Sequence, residues 1–213
     1  MIGPRRSEAH LRRVVIVVAG ASGVPLGIVV ARELRPRVDE LYAVVTQRSL
    51  DIASLECGSR ERFLSELARW VDEVYTENDW SSPLASSSFL LDACIAAPAS
   101  MRLVASLAQG LYSDLASRAL GNCLRLRRPL AIAFREAPLG PAELENLYKL
   151  ALYGACIVPM TLAPYAHAVD AASVLRFVAG KLLDCIGIET GLYERWAGAR
   201  KARPLDLCRD LGD

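Results

Sequence analysis

The sequence is poor in histidine and has no excess of either charge. Only two of its 213 residues are histidine, and 25 Lys and Arg offset 24 Asp and Glu to leave a net charge of +1. A near-neutral chain has no bulk electrostatic attraction for nucleic acid or for an anionic membrane surface. Neither His10 nor His167 lies near a pair of cysteines, so no metal site is expected.

Long uncharged runs are also missing. The most apolar stretch near the start, residues 14–34, contains Arg32, Glu33, three glycines and a proline. A membrane-spanning helix needs about 20 mostly apolar residues, so this stretch predicts a strand, a turn and a helix instead. Residues 1–13 are basic, but no small-residue cleavage site follows a short apolar core. No secretion signal is therefore expected, and the protein is predicted to be cytoplasmic.

Cysteine occurs six times but never in a C-x-x-C pair. The six positions are Cys57, Cys94, Cys123, Cys156, Cys185 and Cys208. A chain of this length buries enough surface to fold without disulfides, and most of these cysteines have apolar neighbours. Buried free thiols in a reducing compartment are therefore expected.

The apolar patterning predicts an α/β fold. Apolar residues make up 53% of the chain and charged residues 23%, which is typical of a folded globular protein. Residues 13–19 form a β-branched run without alternation, which indicates a strand buried on both faces. A glycine-containing turn at 20–23, a helix at 24–34 and a strand at 41–46 follow. This strand–helix–strand opening is typical of a doubly wound parallel sheet.

The rest of the chain continues the same alternation. Further strands are predicted at 72–75, 90–97, 129–134 and 155–159, and further helices at 49–56, 60–70, 101–109, 113–127, 142–153 and 171–186. A long polar loop covers 77–88. The prediction is a single domain over 1–213, a three-layer doubly wound parallel sheet with helices on both faces, and peripheral tails at 1–12 and 200–213.

Polar side chains follow four of the predicted strands. They are the G-A-S-G turn at 20–23, Thr46, Ser100, and the charged pair Arg135 and Glu136. Ligands of parallel sheets bind beyond the carboxyl ends of the strands, and hydroxyls and amides at helix starts suit a phosphate group.

Each signal also has a plainer interpretation. The glycine turn is equally consistent with a simple strand–helix connection, and the charged pair with a surface ion pair worth little. The G-x-G-x-x-G spacing of dinucleotide sites is absent, and Ser22 does not lie in a G-x-S-x-G elbow.

Seven short stretches together resemble one family. They are G-A-S-G at 20–23, S-L-E at 54–56, E-N-D-W at 77–80, R-R-P-L at 127–130, R-E-A-P-L at 135–139, L-E-N-L at 144–147 and E-R-W at 194–196. In this order they resemble the UbiX-type flavin prenyltransferases, long called flavoprotein aromatic-acid decarboxylases. The similarity is colinear from about residue 14 to residue 196.

The resemblance implies a flavodoxin-like (Rossmann-like) flavoprotein subunit that assembles into a homododecamer, with FMN between subunits. Members of this family join the dimethylallyl group of dimethylallyl phosphate to reduced FMN, forming bonds at flavin N5 and C6 that close a fourth ring. The product, prenylated FMN, passes to a partner decarboxylase of the UbiD type. No metal is required.

The resemblance also implies roles for individual residues. The positions that match FMN-binding residues are Gly20, Ala21, Ser22, Thr46, Ser100 and Arg118. The positions that match prenyl-phosphate-binding residues are Arg125, Arg135, Glu136, Tyr165 and Lys181. Ser22, Glu56 and Glu136 are the candidate catalytic groups. Trp196 is a candidate wall against water, and Trp80 a candidate cover over the flavin.

The chain departs from the family pattern at several of these places. Ala97 and Ala99 replace two cysteines, Leu103 replaces a small hydroxyl residue, and Gly121 stands where aspartate is frequent. The family's lysine and arginine are exchanged at Arg125 and Lys181, which keeps the charge but not the bidentate geometry.

Two alternative functions are left open by these departures. One is an FMN-binding protein without prenyl transfer. The other is an enzyme like the flavin-dependent cysteine decarboxylases, whose P-A-S-A-N-T stretch matches this chain only at Pro98, Ala99 and Ser100.

Overall fold

The computed structural model describes residues 11–198, which form one six-stranded sheet covered by seven α-helices. The strands are β1 (Leu11–Val18), β2 (Val38–Val45), β3 (Glu73–Thr76), β4 (Ala93–Ala99), β5 (Leu130–Phe134) and β6 (Cys156–Pro159). The helices are α1 (Pro25–Leu34), α2 (Gln47–Glu56), α3 (Arg60–Ala68), α4 (Met101–Ala108), α5 (Leu115–Arg125), α6 (Pro141–Leu152) and α7 (Ala171–Cys185).

The sheet is parallel throughout, in the order β3-β2-β1-β4-β5-β6. The predicted α/β fold with a doubly wound parallel sheet is therefore confirmed. The strand order reverses between β1 and β4, and the amide of Ala19 donates to the carbonyl of Pro98 at 2.9 Å just beyond these strands. The crevice at such a reversal is where doubly wound sheets bind ligands.

Alternate residues of β1 belong to the two faces of the sheet. Val14, Ile16 and Val18 pack in the core that includes residues of α1, α3 and α7, whereas Val15 and Val17 pack in the core that includes residues of α4, α5 and α6. Because all five side chains are fully buried, residues 14–18 of the strand have no polar face. This explains the absence of alternation in the sequence and gives the three predicted layers.

The boundaries of β4 differ from the prediction at both ends. The strand begins at Ala93 rather than at residue 90, because the Asp92 carboxylate accepts hydrogen bonds from the amides of Arg12 and Arg13, at 2.8 and 3.0 Å. It then continues through Pro98 to Ala99, with a shift of register against β5 after Ala96. The long loop before it contains only a short 3-10 helix, Pro83–Ala85.

The prediction of free thiols is wrong for four of the five cysteines in the described part of the chain. Cys94 is bonded to Cys123, and Cys156 to Cys185, whereas Cys57 is free. Each pair is 29 residues apart in sequence and joins a strand to a helix that packs beside it. Because neither pair forms a local motif, only the fold reveals the pairing. Cys208 lies outside the described residues.

The predicted tails, residues 1–12 and 200–213, lie outside the described residues except for Leu11 and Arg12, which belong to β1. Within residues 11–198, none of the helices combines the length and the apolar character that crossing a bilayer would require.

Candidate active site

The loop after β1 makes a close turn that exposes backbone amides at the start of α1. A Cβ atom on Gly20 would lie 2.4 Å from the Cβ of Arg48, so glycine allows α2 to approach this loop. Gly23 has a φ of +95°, a conformation that favours glycine. Pro25 then begins α1, where its missing amide costs no hydrogen bond.

Glu56 places its carboxylate over these amides. Ser22 Oγ donates to Glu56 Oε1 at 2.7 Å, and the amides of Gly23 and Val24 donate to the same carboxylate at 3.0 Å. Glu56 is the last residue of α2, and the helix dipole of α1 favours a negative charge at this point. First principles alone would make Glu56 an ordinary surface carboxylate. The structure leaves Glu56 exposed but joins it to Ser22, its fellow candidate catalytic group.

Arg135 faces Ser22 and Glu56 from the end of β5. It follows β5 directly and lines a cavity of about 440 Å³ together with Ser22 and Glu56. Met160 and the first turns of α7 complete the wall. Glu136 is exposed, and its Oε1 accepts a hydrogen bond from the amide of Ala137 at 3.2 Å.

Two further hydroxyls lie at helix starts on this edge of the sheet. Thr46 Oγ1 accepts from the amide of Ser49 at 3.2 Å and caps α2, and Ser100 Oγ accepts from the amide of Leu103 at 3.3 Å and caps α4. A hydroxyl that caps through its lone pairs keeps its hydrogen for a ligand. Since only the Leu103 amide takes part, the cap at Ser100 does not depend on the missing hydroxyl side chain at 103.

Arg118 reaches a different part of the molecule. Its Nε donates to the carbonyl of Ala85 at 2.9 Å, and Asn122 Nδ2 donates to the carbonyl of Leu84 at 3.1 Å. Both side chains therefore hold the 77–92 loop against α5. Trp80 in that loop is 47% exposed.

Arg125 lies at the opposite edge of the sheet from Arg135. It is the last residue of α5 and lines a cavity of about 1080 Å³ with Pro129 and Gly154, which precede β5 and β6. The five-residue strand β5 separates the two edges by roughly 16 Å. One chain therefore does not bring these two predicted phosphate-binding arginines together.

Tyr165 and Lys181 form a third group on the outside of α7. The Tyr165 ring contacts the Phe177 ring at 6.5 Å between centroids, and Lys181 Nζ lies 5.5 Å from the centre of that same Phe177 ring. Trp196 contacts Tyr165 edge-on at 6.3 Å, and the two side chains are 60% and 55% exposed. Lys181 lines a cavity of about 530 Å³ beside β6.

The position of Tyr112 explains why residue 121 is glycine rather than the aspartate frequent in the family. A Cβ atom on Gly121 would lie 2.4 Å from the Tyr112 ring, so any larger side chain at 121 requires that ring to move. The guanidinium of Arg125 lies 5.7 Å from the same ring. Tyr112 therefore occupies the space that an aspartate would need and supports Arg125 at the end of the same helix.

The structure also identifies residues that the sequence did not single out. Met160 follows β6 at the edge where ligands are expected, so its position in the chain is a usable signal. Glu77 accepts a hydrogen bond from the amide of Gln47 at the start of α2, and Arg102 connects Glu77 and Asp114 at 3.4 and 3.2 Å. No local pattern indicates these contacts. Among residues 11–198, no group of three or more His, Cys, Asp or Glu side chains is arranged to hold a metal ion.

Comparison with known proteins identifies the family. The model of the Flavoprotein family matches residues 3–183. The flavin prenyltransferase UbiX of Saccharolobus solfataricus is 31% identical over 198 residues, which cover 92% of this chain and 98% of that protein.

Solved structures agree with that assignment. The crystal structure of AnUbiX (PadA1) in complex with FMN and dimethylallyl pyrophosphate matches with a TM-score of 0.81 and 33% identity, covering 88% of this chain and 98% of that one. A dodecameric FMN-dependent UbiX-like decarboxylase from Escherichia coli O157:H7 matches with a TM-score of 0.80 and 30% identity, covering 87% and 100%. The resemblance inferred from the sequence is thereby confirmed, and the chain belongs to the Flavoprotein family, among its UbiX-type flavin prenyltransferases.

Proposed function

We propose that this chain transfers the dimethylallyl group of dimethylallyl phosphate to reduced FMN and so makes prenylated FMN. The observation that carries the proposal is the hydrogen bond from Ser22 to Glu56 at the start of α1, in the cavity that Arg135 also lines. This places a proton-accepting pair beside a cation suited to a leaving phosphate. The relatives named as flavin prenyltransferases support the same reaction.

The residues at the carboxyl edge of the sheet fit FMN. The turn at 20–23, Thr46 and Ser100 follow the three adjacent strands β1, β2 and β4, and α1, α2 and α4 begin there. Glu56 and Glu77 already accept hydrogen bonds from amides at the starts of α1 and α2, so the start of α4 and the hydroxyl hydrogens of the capping Thr46 and Ser100 remain for an anionic group such as the flavin phosphate. Reduced FMN, when bound, supplies the nucleophilic ring atoms of the transfer.

Arg135 and Glu136 act on the prenyl donor. As the bond between carbon and phosphate oxygen lengthens, negative charge grows on the phosphate, and the Arg135 guanidinium stabilises it. The Glu136 carboxylate beside it shares a proton with the phosphate. Tyr165 and Lys181 add a hydroxyl and a second cation, and Trp196 excludes water from the allylic group.

Ser22 and Glu56 move a proton. The Ser22 hydroxyl already donates its hydrogen to Glu56 Oε1, so Ser22 Oγ takes up a proton from the ligand as its own passes to the carboxylate. The amides of Gly23 and Val24 hold the carboxylate in place meanwhile.

The complete site needs a second copy of the chain. Because Arg125 lies about one strand length from Arg135, it acts in the site of a neighbouring copy, and we propose a homododecamer with FMN between subunits. The dodecameric relative from Escherichia coli supports this assembly. The proposal includes a UbiD-type decarboxylase as recipient of the product, and a cytoplasmic location.

Anaerobic incubation with reduced FMN tests the proposal. We expect dimethylallyl phosphate to convert the released flavin to a product heavier by one C5H8 unit, detected by mass spectrometry. A parallel incubation with dimethylallyl diphosphate determines which donor is used. A protein that binds FMN but yields unmodified flavin with both donors would contradict the proposal and favour the FMN-binding alternative.

A further inference from the structure

Lys181 is a cation whose ammonium lies against aromatic rings. Its ammonium lies 4.5 Å from the centre of the Tyr193 ring and 5.5 Å from that of Phe177, beside the 530 Å³ cavity along β6. No carboxylate within residues 11–198 forms an ion pair with it. Aromatic faces attract an ammonium without neutralising it. The Lys181 charge therefore stays available to an anion that enters the cavity.

The nearest acid on the same helix is occupied by another cation. Asp184 lies one turn after Lys181, a spacing at which oppositely charged side chains on a helix meet. Arg195 instead donates to both oxygens of Asp184, at 2.5 and 3.2 Å, and the Tyr193 hydroxyl donates to the same carboxylate. Arg195 and Tyr193 thus use most of the hydrogen-bonding capacity of Asp184, and little remains for Lys181.

The segment that carries Arg195 is fixed on α7 by shape as well as by charge. A Cβ atom on Gly180 would lie 2.5 Å from the Tyr193 ring, so this glycine forms the notch in which the ring lies. Arg195 also contacts Glu189 at 3.4 Å and lies 5.1 Å from the Tyr193 ring. The hydrogen bond to Asp184 raises the pKa of Arg195, and burial together with Asp184 raises the pKa of Tyr193.

We propose that Arg195 is a positioning residue that sequesters Asp184 and thereby keeps Lys181 free for the phosphate of the prenyl donor. This inference rests on the proposed function and adds to it a reason why lysine serves at position 181. An arginine there would hold a phosphate through two nitrogens, whereas the single ammonium of lysine is easily lost to a neighbouring acid. Tyr193 supplies the surface on which that ammonium rests.

The proposal predicts a dependence between two substitutions. Arg195→Ala leaves Asp184 free to pair with Lys181, so the affinity for dimethylallyl phosphate should fall by about tenfold, the usual order for losing one charged hydrogen bond. In an Asp184→Asn background the acid one turn from Lys181 is absent, so adding Arg195→Ala should change the affinity by less than about twofold.

Calorimetric titration of dimethylallyl phosphate into the FMN-loaded protein measures this, with the flavin kept oxidised so that no transfer occurs. FMN affinity and the melting temperature, measured on every variant, separate a lost positioning contact from a damaged fold. Arg176→Ala, an exposed arginine on the same helix, is the matched control and should leave the donor affinity unchanged.

If Arg195→Ala lowers the donor affinity equally in the unsubstituted and Asp184→Asn proteins, the positioning role is overturned and only a structural role is left. An unchanged donor affinity in Arg195→Ala would overturn it as well. If the unsubstituted protein fails to bind dimethylallyl phosphate or to make prenylated FMN, the proposed function fails, and the positioning role fails with it.

Discussion

Arg135 and Glu136 leave the sheet together after β5 but meet different surroundings. Arg135 lines the cavity that contains Ser22 and Glu56, whereas the exposed Glu136 carboxylate accepts a hydrogen bond from the following backbone amide. A cation that faces a cavity acts on whatever anion enters it. At the scale of single residues, we therefore expect the removal of Arg135 to separate donor binding from flavin binding most clearly.

Arg135→Ala should weaken the binding of dimethylallyl phosphate by about tenfold or more, because one charge-assisted hydrogen bond to the phosphate is lost. The affinity for FMN should change little. Calorimetric titration of each ligand measures the two effects. Arg69→Ala, an exposed arginine paired with Glu66 on α3, serves as control and should alter neither. Equal weakening of both ligands would instead assign Arg135 to the flavin phosphate.

Single residues also show what the sequence can reveal. Ser22, Thr46 and Ser100 were predictable because each directly follows a recognisable strand. The contact of Glu56 with the start of α1 was not predictable from its neighbours, because it depends on how α2 leans toward the β1 loop across 34 residues. The role of Asp184 likewise depends on a chain segment that returns to α7 after its end.

At the scale of elements, the starts of α1, α2 and α4 carry the candidate flavin-binding residues, and one glycine fixes the conformation of the first start. Gly23 has a φ of +95°, and a Cβ atom there would lie 2.5 Å from Met160 Cε. Any other residue would strain the backbone and push against the cavity wall. The amide that Gly23 donates to Glu56 depends on this conformation.

Gly23→Ala should lower the free energy of unfolding by about 2–4 kcal/mol, the sum of backbone strain and overpacking. Gly110→Ala is the matched control, since Gly110 has a φ of +70° but nothing within 4 Å of an added Cβ. It should cost only the backbone strain, about 1–2 kcal/mol. Chemical denaturation measures both. Equal losses of unfolding free energy in the two variants would show that the Met160 side chain moves aside without an energetic penalty.

Elements were predictable where apolar runs are long, as in β1 and β5. Their ends were less so, because they depend on contacts from distant residues. Asp92 stops β4 from beginning earlier by binding amides some 80 residues away in sequence. The two disulfides were missed for a similar reason, since each joins elements whose packing only the fold determines.

At the scale of the whole molecule, the predicted site residues lie in separate places. One group surrounds Ser22 at the carboxyl edge of the sheet, another surrounds Lys181 outside α7, and Arg125 lies at the amino edge. The resemblance supplied the candidate members of the site, but their separation within one chain became visible only in the fold. We therefore expect a site that uses all of them to be completed by neighbouring copies, as proposed above.

Mixed oligomers test this arrangement. Arg125→Ala and Arg135→Ala should each abolish prenyl transfer, and oligomers that contain both variants should recover part of it, because some sites take an intact residue from each copy. Mixing Arg135→Ala with Glu56→Gln is the control and should restore nothing, since both residues come from the same side of the site. Mass spectrometry of the prenylated flavin measures the recovery in each mixture. No recovery in the first mixture would contradict a shared site.

The two outer strands of the sheet influence how such copies meet. β3 and β6 are only four residues long, β3 begins with the charged Glu73, and β6 ends with Pro159, which has no amide hydrogen. Short, charged or proline-bearing borders discourage ribbons of neighbouring molecules from extending one another. The outer strands thus disfavour fibril-like stacking of newly synthesised chains, and we expect contacts between copies to use side-chain surfaces instead.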